Sequence, residues 1–137
     1  MHWRRQGDIG EASALEWLVG QGWRVYLPWG HSENCDLVAD MDGRLAGVQV
    51  KTTTCRQGSR WKVTLATRGG NQSWSGLVKR FSPDRCDWLF VHAGDGRRWF
   101  MPSTAVEGGS AIVLGGPKYE EFEVDAGRPL PGALAEV

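Results

Sequence analysis

Asp36, Gln49 and Lys51 supply a carboxylate, an amide and an amine on two segments that flank Asp42-Gly43. An Asp-Gly pair between alternating segments predicts a two-residue hairpin turn. If the chain reverses there, Asp36 faces Gln49. Facing residues of an antiparallel ladder point to the same side of the sheet, and strand alternation adds Lys51 to that side. The hairpin therefore predicts that all three groups share one face.

These three groups suit the hydrolysis of a phosphodiester, which requires an activated water molecule and a neutralised phosphate. The carboxylate of Asp36 is a hard oxygen ligand of the kind that Mg²⁺ prefers, and Gln49 could add a carbonyl oxygen. Lys51 could orient or deprotonate the water, or stabilise the charge that develops on phosphorus. We expect Mg²⁺ at this face, with Mn²⁺ as a possible substitute.

A further acid comes from the first helix, which helical spacing of apolar residues predicts over residues 6–20. Its apolar arc is centred near Leu15, and Glu11 falls inside that arc, so we expect Glu11 to point towards the sheet. A carboxylate on a packing face is costly unless it is paired or binds a cation. Asp8 and Glu16 also lie on this arc, and the helical projection does not choose among the three acids.

The elements that must position these residues form a mixed α/β pattern with a central sheet. The helix precedes predicted strands at residues 23–28, 35–41, 44–54, 61–67, 87–93 and 98–102, with a helical turn at 103–106 and two short strands at 111–114 and 121–124. Asp95-Gly96 predicts a second hairpin. We expect one domain over residues 1–137, with a loose tail from about residue 126.

Composition is ordinary for a globular protein, with 41% hydrophobic and 23% charged residues. No apolar run is long enough to span a bilayer, and the first ten residues lack a signal-peptide core, so we expect a cytoplasmic protein. The three cysteines, Cys35, Cys55 and Cys86, are an odd number without a Cys-x-x-Cys pair. We therefore expect reduced thiols rather than a disulfide or a structural zinc site.

Charge is balanced overall, with 16 basic and 16 acidic residues, but it is unevenly distributed. Residues 51–98 contain ten Lys or Arg against three Asp or Glu, and both flanking segments are acidic. A basic centre of this kind is typical of a face that binds a polyanion. The alternative is a solvated surface on which charges are merely sorted unevenly.

Three short segments resemble the PD-(D/E)XK nuclease superfamily: Gly7-Asp8-Ile9-Gly10-Glu11, Asp36-Leu37-Val38 and Val48-Gln49-Val50-Lys51-Thr52. The pattern is most similar to archaeal-type Holliday junction resolvases and to intron-associated homing endonucleases of the same fold. It covers residues 6–54 well and 87–102 more weakly.

This resemblance implies a restriction-endonuclease-like fold, in which a mixed β-sheet is flanked by helices. It also implies a metal-dependent DNA endonuclease with Glu11, Asp36, Gln49 and Lys51 as catalytic residues, the first three being metal ligands. The match around Glu11 favours this acid over Asp8 and Glu16.

Two positions depart from the family pattern. Cys35 replaces the usual proline, which the superfamily tolerates. Gln49 stands where most members have Asp or Glu, and an amide removes one negative charge and should weaken metal binding. Active members with glutamine at this position exist, so we expect activity; the alternative is a catalytically inactive DNA-binding module.

Eight further residues are candidates for DNA contacts: Arg4, Arg5, Thr52, Arg56, Arg68, Lys79, Arg80 and Lys118. Arg4 and Arg5 precede the helix, and Thr52 could bond a phosphate or simply continue a β-favouring strand. The other five include Lys118, which resembles a basic residue of the homing members. Each has a bland alternative as an ordinary solvated or packed side chain.

Cutting both strands of a duplex requires two sites, so we expect a homodimer or a larger homo-oligomer. The chain offers little room for a separate base-reading domain, which favours branched DNA recognised by shape. The alternative is a sequence-specific endonuclease of the homing or restriction type.

Overall fold

The computed structural model describes residues 3–29, 35–65, 67–68, 78–79 and 86–132. The chain begins with helix α1 (Trp3–Gly20). The strands are β1 (Arg24–Tyr26), β2 (Leu37–Met41), β3 (Arg44–Thr53), β4 (Arg56–Gln57), β5 (Arg60–Thr64), β6 (Thr67–Arg68), β7 (Val78–Lys79), β8 (Trp88–Ala93), β9 (Arg98–Pro102), β10 (Ala111–Leu114) and β11 (Glu123–Val124). Two short 3-10 helices, Ser103–Val106 and Glu120–Phe122, follow β9 and β10.

The β2–β3 hairpin turns at the predicted dipeptide. Asp42 and Gly43 have φ angles of 59° and 94°, the positive values that a type I′ turn requires. The ladder runs from Met41 opposite Arg44 to Leu37 opposite Val48, which confirms the predicted register.

The main sheet has six strands in the order β1-β2-β3-β8-β9-β11. β3 and β8 are parallel, whereas their other neighbours pair antiparallel. This mixed sheet confirms the predicted fold class. The predicted strand at 61–67 is shorter, Arg60–Thr64, and belongs to a separate three-stranded sheet, β10-β5-β4.

The two faces of the main sheet are covered differently. Helix α1 packs on one face, over a core that includes Ala14, Leu18, Leu37, Ala39, Val48 and Phe90. The small sheet covers the β8 and β9 part of the other face, over a core that includes Trp61, Val63, Leu89, Val91, Trp99 and Met101. Among the described residues α1 is the single α-helix, so a small sheet takes the place of the flanking helices that the resemblance implied.

The buried side of α1 differs from the predicted one. Ala14 and Leu18 are fully buried, whereas Leu15 is 40% exposed and Val19 is 53% exposed. Gly10 is also buried, and a Cβ atom there would collide with the Cγ2 atom of Thr52 in β3. Small residues allow α1 to approach β3 closely, and hydropathy gives little weight to glycine and alanine. The buried side of α1 is therefore centred on Ala14 and Leu18 instead of Leu15, and the predicted arc was wrong.

Cys35 and Cys86 form a disulfide, with their Cα atoms 5.7 Å apart, so the expectation of three reduced thiols was wrong. Cys55 is a free, exposed cysteine. The two bonded residues are separated by 51 positions in the sequence. Their contact depends on the pairing of distant strands, which the spacing of cysteines does not reveal.

The start of the expected loose tail is packed against the β8–β9 hairpin. Gly127 N–H donates to the Gly96 carbonyl at 2.7 Å, and Leu130 N–H donates to the Gly94 carbonyl at 2.9 Å. The Leu130 side chain is 2% exposed. The tail prediction was thus wrong for residues 127–130, and residues 133–137 lie outside the described part of the chain. No helix in the described residues is long and apolar enough to cross a membrane.

Candidate active site

Asp36 lies one residue before β2, at the point where β3 extends beyond its ladder with β2. Its amide donates to the Val48 carbonyl at 2.9 Å, and its Oδ2 accepts a 2.8 Å hydrogen bond from the Val50 amide. The carboxylate thus replaces the ladder partner that β3 loses where β2 begins. The regular pairing ends at Leu37 and Val48, so Asp36 is not paired with Gln49 within the ladder as predicted.

Gln49 and Lys51 project from β3 on the face opposite to α1. Val48 and Val50 alternate with them and pack in the core beneath α1. Both polar side chains are partly buried. The structure therefore places Lys51 on the face that the hairpin predicted, near the start of β2.

The electrostatic environment disfavours charge on both Lys51 and Asp36. Burial lowers the pKa of the Lys51 ammonium, although the Asp36 carboxylate opposes this shift. Burial also raises the pKa of Asp36, against the Val50 hydrogen bond and the charge of Lys51. Each group is thus held closer to neutrality than in water, a pattern common at catalytic sites.

Glu11 is exposed, so it is not buried against the sheet as its place on the predicted apolar arc implied. Burial nevertheless raises its pKa, and the negative charges of Asp36 and Asp8 raise it further. Glu16, one of the predicted alternatives, lies near Arg98 instead, with Oε2 at 3.4 Å from Nη1. Glu11 is thus the acid of α1 that the structure couples electrostatically to Asp36.

Electrostatic interactions link Asp36 to Glu11 and to Lys51, and Gln49 lies on the face of β3 that carries Lys51. We call these four residues the Asp36 cluster. In the described residues no group of three His, Cys, Asp or Glu side chains is arranged to hold a metal ion. The cluster offers instead two carboxylates and the carbonyl oxygen of Gln49. The charge of Asp36 raises the pKa of Glu11, which shows that the two carboxylates repel each other. A hard divalent cation fits such a pair, because it would relieve the repulsion.

The predicted DNA-contact residues are scattered. Arg5, Arg56 and Lys118 are exposed; Arg56 lies 4.3 Å from the Trp61 ring and Lys118 lies 5.2 Å from the Tyr119 ring. Thr52 faces α1, where it contacts Gly10, so its position matches the packing alternative. The remaining four are Arg4 in α1, Arg68 in β6, Lys79 in β7 and Arg80, which lies outside the described residues.

Two arginines of the basic segment are used within the fold. The Arg97 guanidinium forms two 2.8 Å hydrogen bonds with the Glu123 carboxylate, which raises the pKa of Arg97 and lowers that of Glu123. Arg98 is buried, and its Nε donates to the Asp125 carbonyl at 2.6 Å. The basic segment therefore overstates the charge available to a polyanion.

A second polar cluster, which sequence reasoning missed, joins α1 to β8 and β9. Ser13 Oγ lies 2.7 Å from His92 Nδ1, and His92 Nε2 lies 2.8 Å from the Arg128 carbonyl. Because a carbonyl only accepts, Nε2 donates to it and the Ser13 hydroxyl donates to Nδ1 of a neutral ring. Burial lowers the pKa of His92, which agrees with that state. We call Ser13, His92 and Arg98 the Ser13 network. The sequence did not indicate it, because Ser13 lies 79 and 85 positions from the other two members, and Arg98 follows Arg97 as if both were surface charges.

Comparison with known proteins assigns the class. A family model described as PD-(D/E)XK endonuclease matches residues 1–110. The chain therefore belongs to the PD-(D/E)XK endonuclease family, and the class that its fold and site define is a nuclease.

A solved structure, that of the bacterial homing endonuclease I-Ssp6803I, shares the fold with a TM-score of 0.73 and 20% sequence identity. The alignment covers 88% of this chain and 87% of that one. No curated protein matches the sequence. The two chains are thus of similar length, and their likeness extends over nearly the whole fold.

Proposed function

We propose that the protein is a metal-dependent endodeoxyribonuclease whose catalytic residues are Glu11, Asp36, Gln49 and Lys51. The observation that carries this proposal is the arrangement just before the start of β2, where a carboxylate fixed to the backbone of β3 lies beside a desolvated lysine. Membership of an endonuclease family supplies the reaction class.

The carboxylates of Asp36 and Glu11, with the amide oxygen of Gln49, would hold a divalent cation, with Mg²⁺ as the expected ion. Such a cation supplies charge neutralisation for the phosphodiester and makes a water molecule more acidic. Asp36 contributes a rigid position, because the Val50 amide fixes one of its oxygens. Glu11 comes from α1, and its carboxylate interacts electrostatically with that of Asp36.

Lys51 would act on the attacking water or on the phosphate. Its lowered pKa makes the neutral amine more accessible near physiological pH than that of an exposed lysine, so it could accept a proton from water. In its charged form it would stabilise the negative charge that develops on the phosphoryl oxygens. Both roles require Lys51 on the face where the strand places it.

Gln49 separates this chain from a cluster with three carboxylates. A neutral amide oxygen is a weaker ligand than a carboxylate, so we expect a higher Mg²⁺ requirement than a three-carboxylate site would show. Gln49→Glu should lower the Mg²⁺ concentration for half-maximal cleavage. An unchanged requirement in that variant would argue against Gln49 as a ligand.

The DNA substrate has two candidates. The compact chain led us to expect branched DNA, as for a Holliday junction resolvase. The size argument is weakened by a homing endonuclease of similar length, which shares the fold over most of this chain. Sequence-specific cleavage of linear duplex is therefore the second candidate. Cleavage assays on branched and linear DNA distinguish the two.

The test is a cleavage assay with four-way junction, flap and linear duplexes, with Mg²⁺ and with EDTA. We expect cleavage that EDTA abolishes and that Lys51→Ala reduces by about a hundredfold or more. Equal cleavage by Lys51→Ala would overturn the site assignment. Tight DNA binding without cleavage in either Mg²⁺ or Mn²⁺ would show a catalytically inactive DNA-binding module.

We also propose a homodimer or larger homo-oligomer, since two strands require two sites. Large apolar side chains exposed near the β1 edge of the sheet support it: Leu27 is 72% exposed and Leu45 is 65% exposed. Sedimentation equilibrium tests it, and a monomer at the concentrations used for cleavage would contradict it. For DNA contacts, Arg5, Arg56 and Lys118 are the exposed candidates.

A further inference from the structure

The Cys35–Cys86 disulfide adjoins the residue that carries the proposed function. Cys35 immediately precedes Asp36, and Cys86 immediately precedes Asp87. Both aspartates bond to the backbone of β3. The cross-link therefore joins two segments that reach β3 just before β2 and β8 begin.

The hydrogen bonds on the two sides of β3 are similar in kind. The Asp36 amide bonds to the Val48 carbonyl and its carboxylate to the Val50 amide. The Asp87 amide bonds to the Gly47 carbonyl at 3.0 Å, and its Oδ2 accepts from the Gly47 amide at 2.8 Å. Each aspartate thus forms hydrogen bonds to β3 with both its backbone amide and its carboxylate.

Gly47 makes room for the bond between these two segments. A Cβ atom at Gly47 would collide with the Sγ atom of Cys35. Strand alternation places this missing Cβ on the same face as Gln49 and Lys51. The disulfide consequently lies over Gly47, on the face of β3 that carries Gln49 and Lys51 and two residues before Gln49.

We propose that the Cys35–Cys86 disulfide is a positioning element that holds the Asp36 carboxylate in place, so that the nuclease site depends on the thiol–disulfide state. The inference rests on the proposed function for its catalytic consequence. Asp36 lies outside the β2 ladder, and the cross-link at the preceding residue ties that point of the chain to the start of β8. When the bond breaks, only the two hydrogen bonds to β3 hold Asp36 at this point of the chain, and they should open more often.

Reduction by a dithiol such as dithiothreitol breaks the Sγ–Sγ bond in two exchange steps. Two electrons and two protons pass to Cys35 and Cys86, which become thiols, and the dithiol becomes a cyclic disulfide. Reoxidation by a disulfide compound such as oxidised glutathione reverses the exchange. The change should therefore be reversible.

The first test measures hydrogen exchange of single amides in the full chain, and it requires neither metal nor DNA. We expect dithiol to lower the protection of the Val50 amide, which bonds to Asp36, by about tenfold through local opening. The Phe90 amide, in the centre of β8, should change far less. Equal protection of Val50 in both states would overturn the proposal.

A purely structural disulfide would give a different pattern. Loss of a cross-link that closes a long loop lowers global stability, and this exposes all core amides together. If Val50 and Phe90 lost protection by the same factor, the bond would stabilise the fold without positioning Asp36, and the proposal would fail.

The second test measures the Mg²⁺ concentration for half-maximal cleavage, well below the melting temperature of both states. We expect reduction to raise it about tenfold, as loss of supporting contacts around metal ligands commonly does, and glutathione disulfide to restore it. The Cys35→Ala/Cys86→Ala variant should match the reduced protein and ignore dithiol. Cys55→Ala is the matched control and should respond as the wild type does.

The two proposals fail separately. If neither redox state cleaves DNA, the nuclease proposal fails, and the exchange of Val50 still decides whether the disulfide positions Asp36. If both states cleave with the same Mg²⁺ requirement and the same Val50 protection, the positioning role is wrong and the nuclease proposal stands.

Discussion

The Asp36 cluster and the Ser13 network each include one polar residue of α1, but the surroundings of their polar groups differ. In the Ser13 network the Ser13 hydroxyl, both ring nitrogens of His92, and Nε and Nη1 of Arg98 all have hydrogen-bond partners, and the histidine ring is neutral. In the Asp36 cluster burial raises the pKa of Asp36 and lowers that of Lys51, which favours the neutral form of each group.

This difference separates a polar group that stabilises the fold from one that is available for chemistry. Fully paired buried groups rigidify a core and gain little from a ligand. Desolvated carboxylates with few partners are costly to keep ionised, and a cation or substrate would stabilise them. The comparison predicts that changes in the Asp36 cluster affect catalysis, whereas changes in the Ser13 network affect stability.

The largest expected effect is on catalysis by Asp36→Asn. The amide is nearly isosteric and can still accept the Val50 hydrogen bond, so the fold should remain intact. The lost charge should reduce Mg²⁺-dependent cleavage by about a hundredfold to a thousandfold. Single-turnover cleavage at saturating enzyme measures this, and wild-type rates with a normal melting curve would remove Asp36 from the site.

Arg98→Met should give the reverse pattern. The variant keeps much of the apolar volume but leaves the Asp125 carbonyl without its donor and removes a partner of Ser13. We expect the free energy of unfolding to fall by about 2–4 kcal/mol. Urea denaturation measures it, with Arg56→Met as an exposed control. A variant as stable as the control would show that the Ser13 network is not structural.

Gly10→Ala tests the place where the two regions meet. The added methyl group would collide with Thr52 Cγ2, and overpacking of this kind costs about 1–3 kcal/mol. It should also shift Glu11 relative to Asp36 and thus raise the Mg²⁺ requirement. Thr52→Ser removes Cγ2, so Gly10→Ala/Thr52→Ser should regain most of the stability. No recovery in this double variant would contradict the packing argument.

The smallest expected effect is on the stability of Glu11→Gln. The folded pKa of Glu11 lies above its ordinary value of 4.5, so its favourable contribution is complete below that value and is lost as pH rises through the folded pKa. At neutral pH the variant should match or slightly exceed the wild type, within about 0.5 kcal/mol, while it loses cleavage. Melting curves from pH 4 to 8 test the sign, and a variant clearly less stable at pH 8 would contradict it.

Much of this arrangement could be predicted from local sequence. Asp42-Gly43 set the turn, the turn set the register, and the register placed Gln49 and Lys51 on one face. These steps need only turn geometry and strand alternation. The family resemblance supplied the choice of Glu11, which the helical projection left open.

Other features depend on contacts between distant segments, which local patterns do not specify. The disulfide requires the starts of β2 and β8 to meet across β3, and the buried side of α1 follows from the close approach of Gly10 to Thr52. The sequence indicates surface charges at Arg97 and Arg98. In the structure they bond to Glu123 and Asp125, which lie beside β9. The small sheet in place of flanking helices likewise arises from tertiary packing.

The most direct test of the Asp36 cluster is a crystal structure of the protein soaked with Mn²⁺, with anomalous diffraction recorded at the manganese edge. We expect an anomalous peak between the carboxylates of Glu11 and Asp36, within ligand distance of the Gln49 amide oxygen. Saturating Mn²⁺ with no peak there, or a peak elsewhere that Asp36→Asn does not abolish, would contradict it.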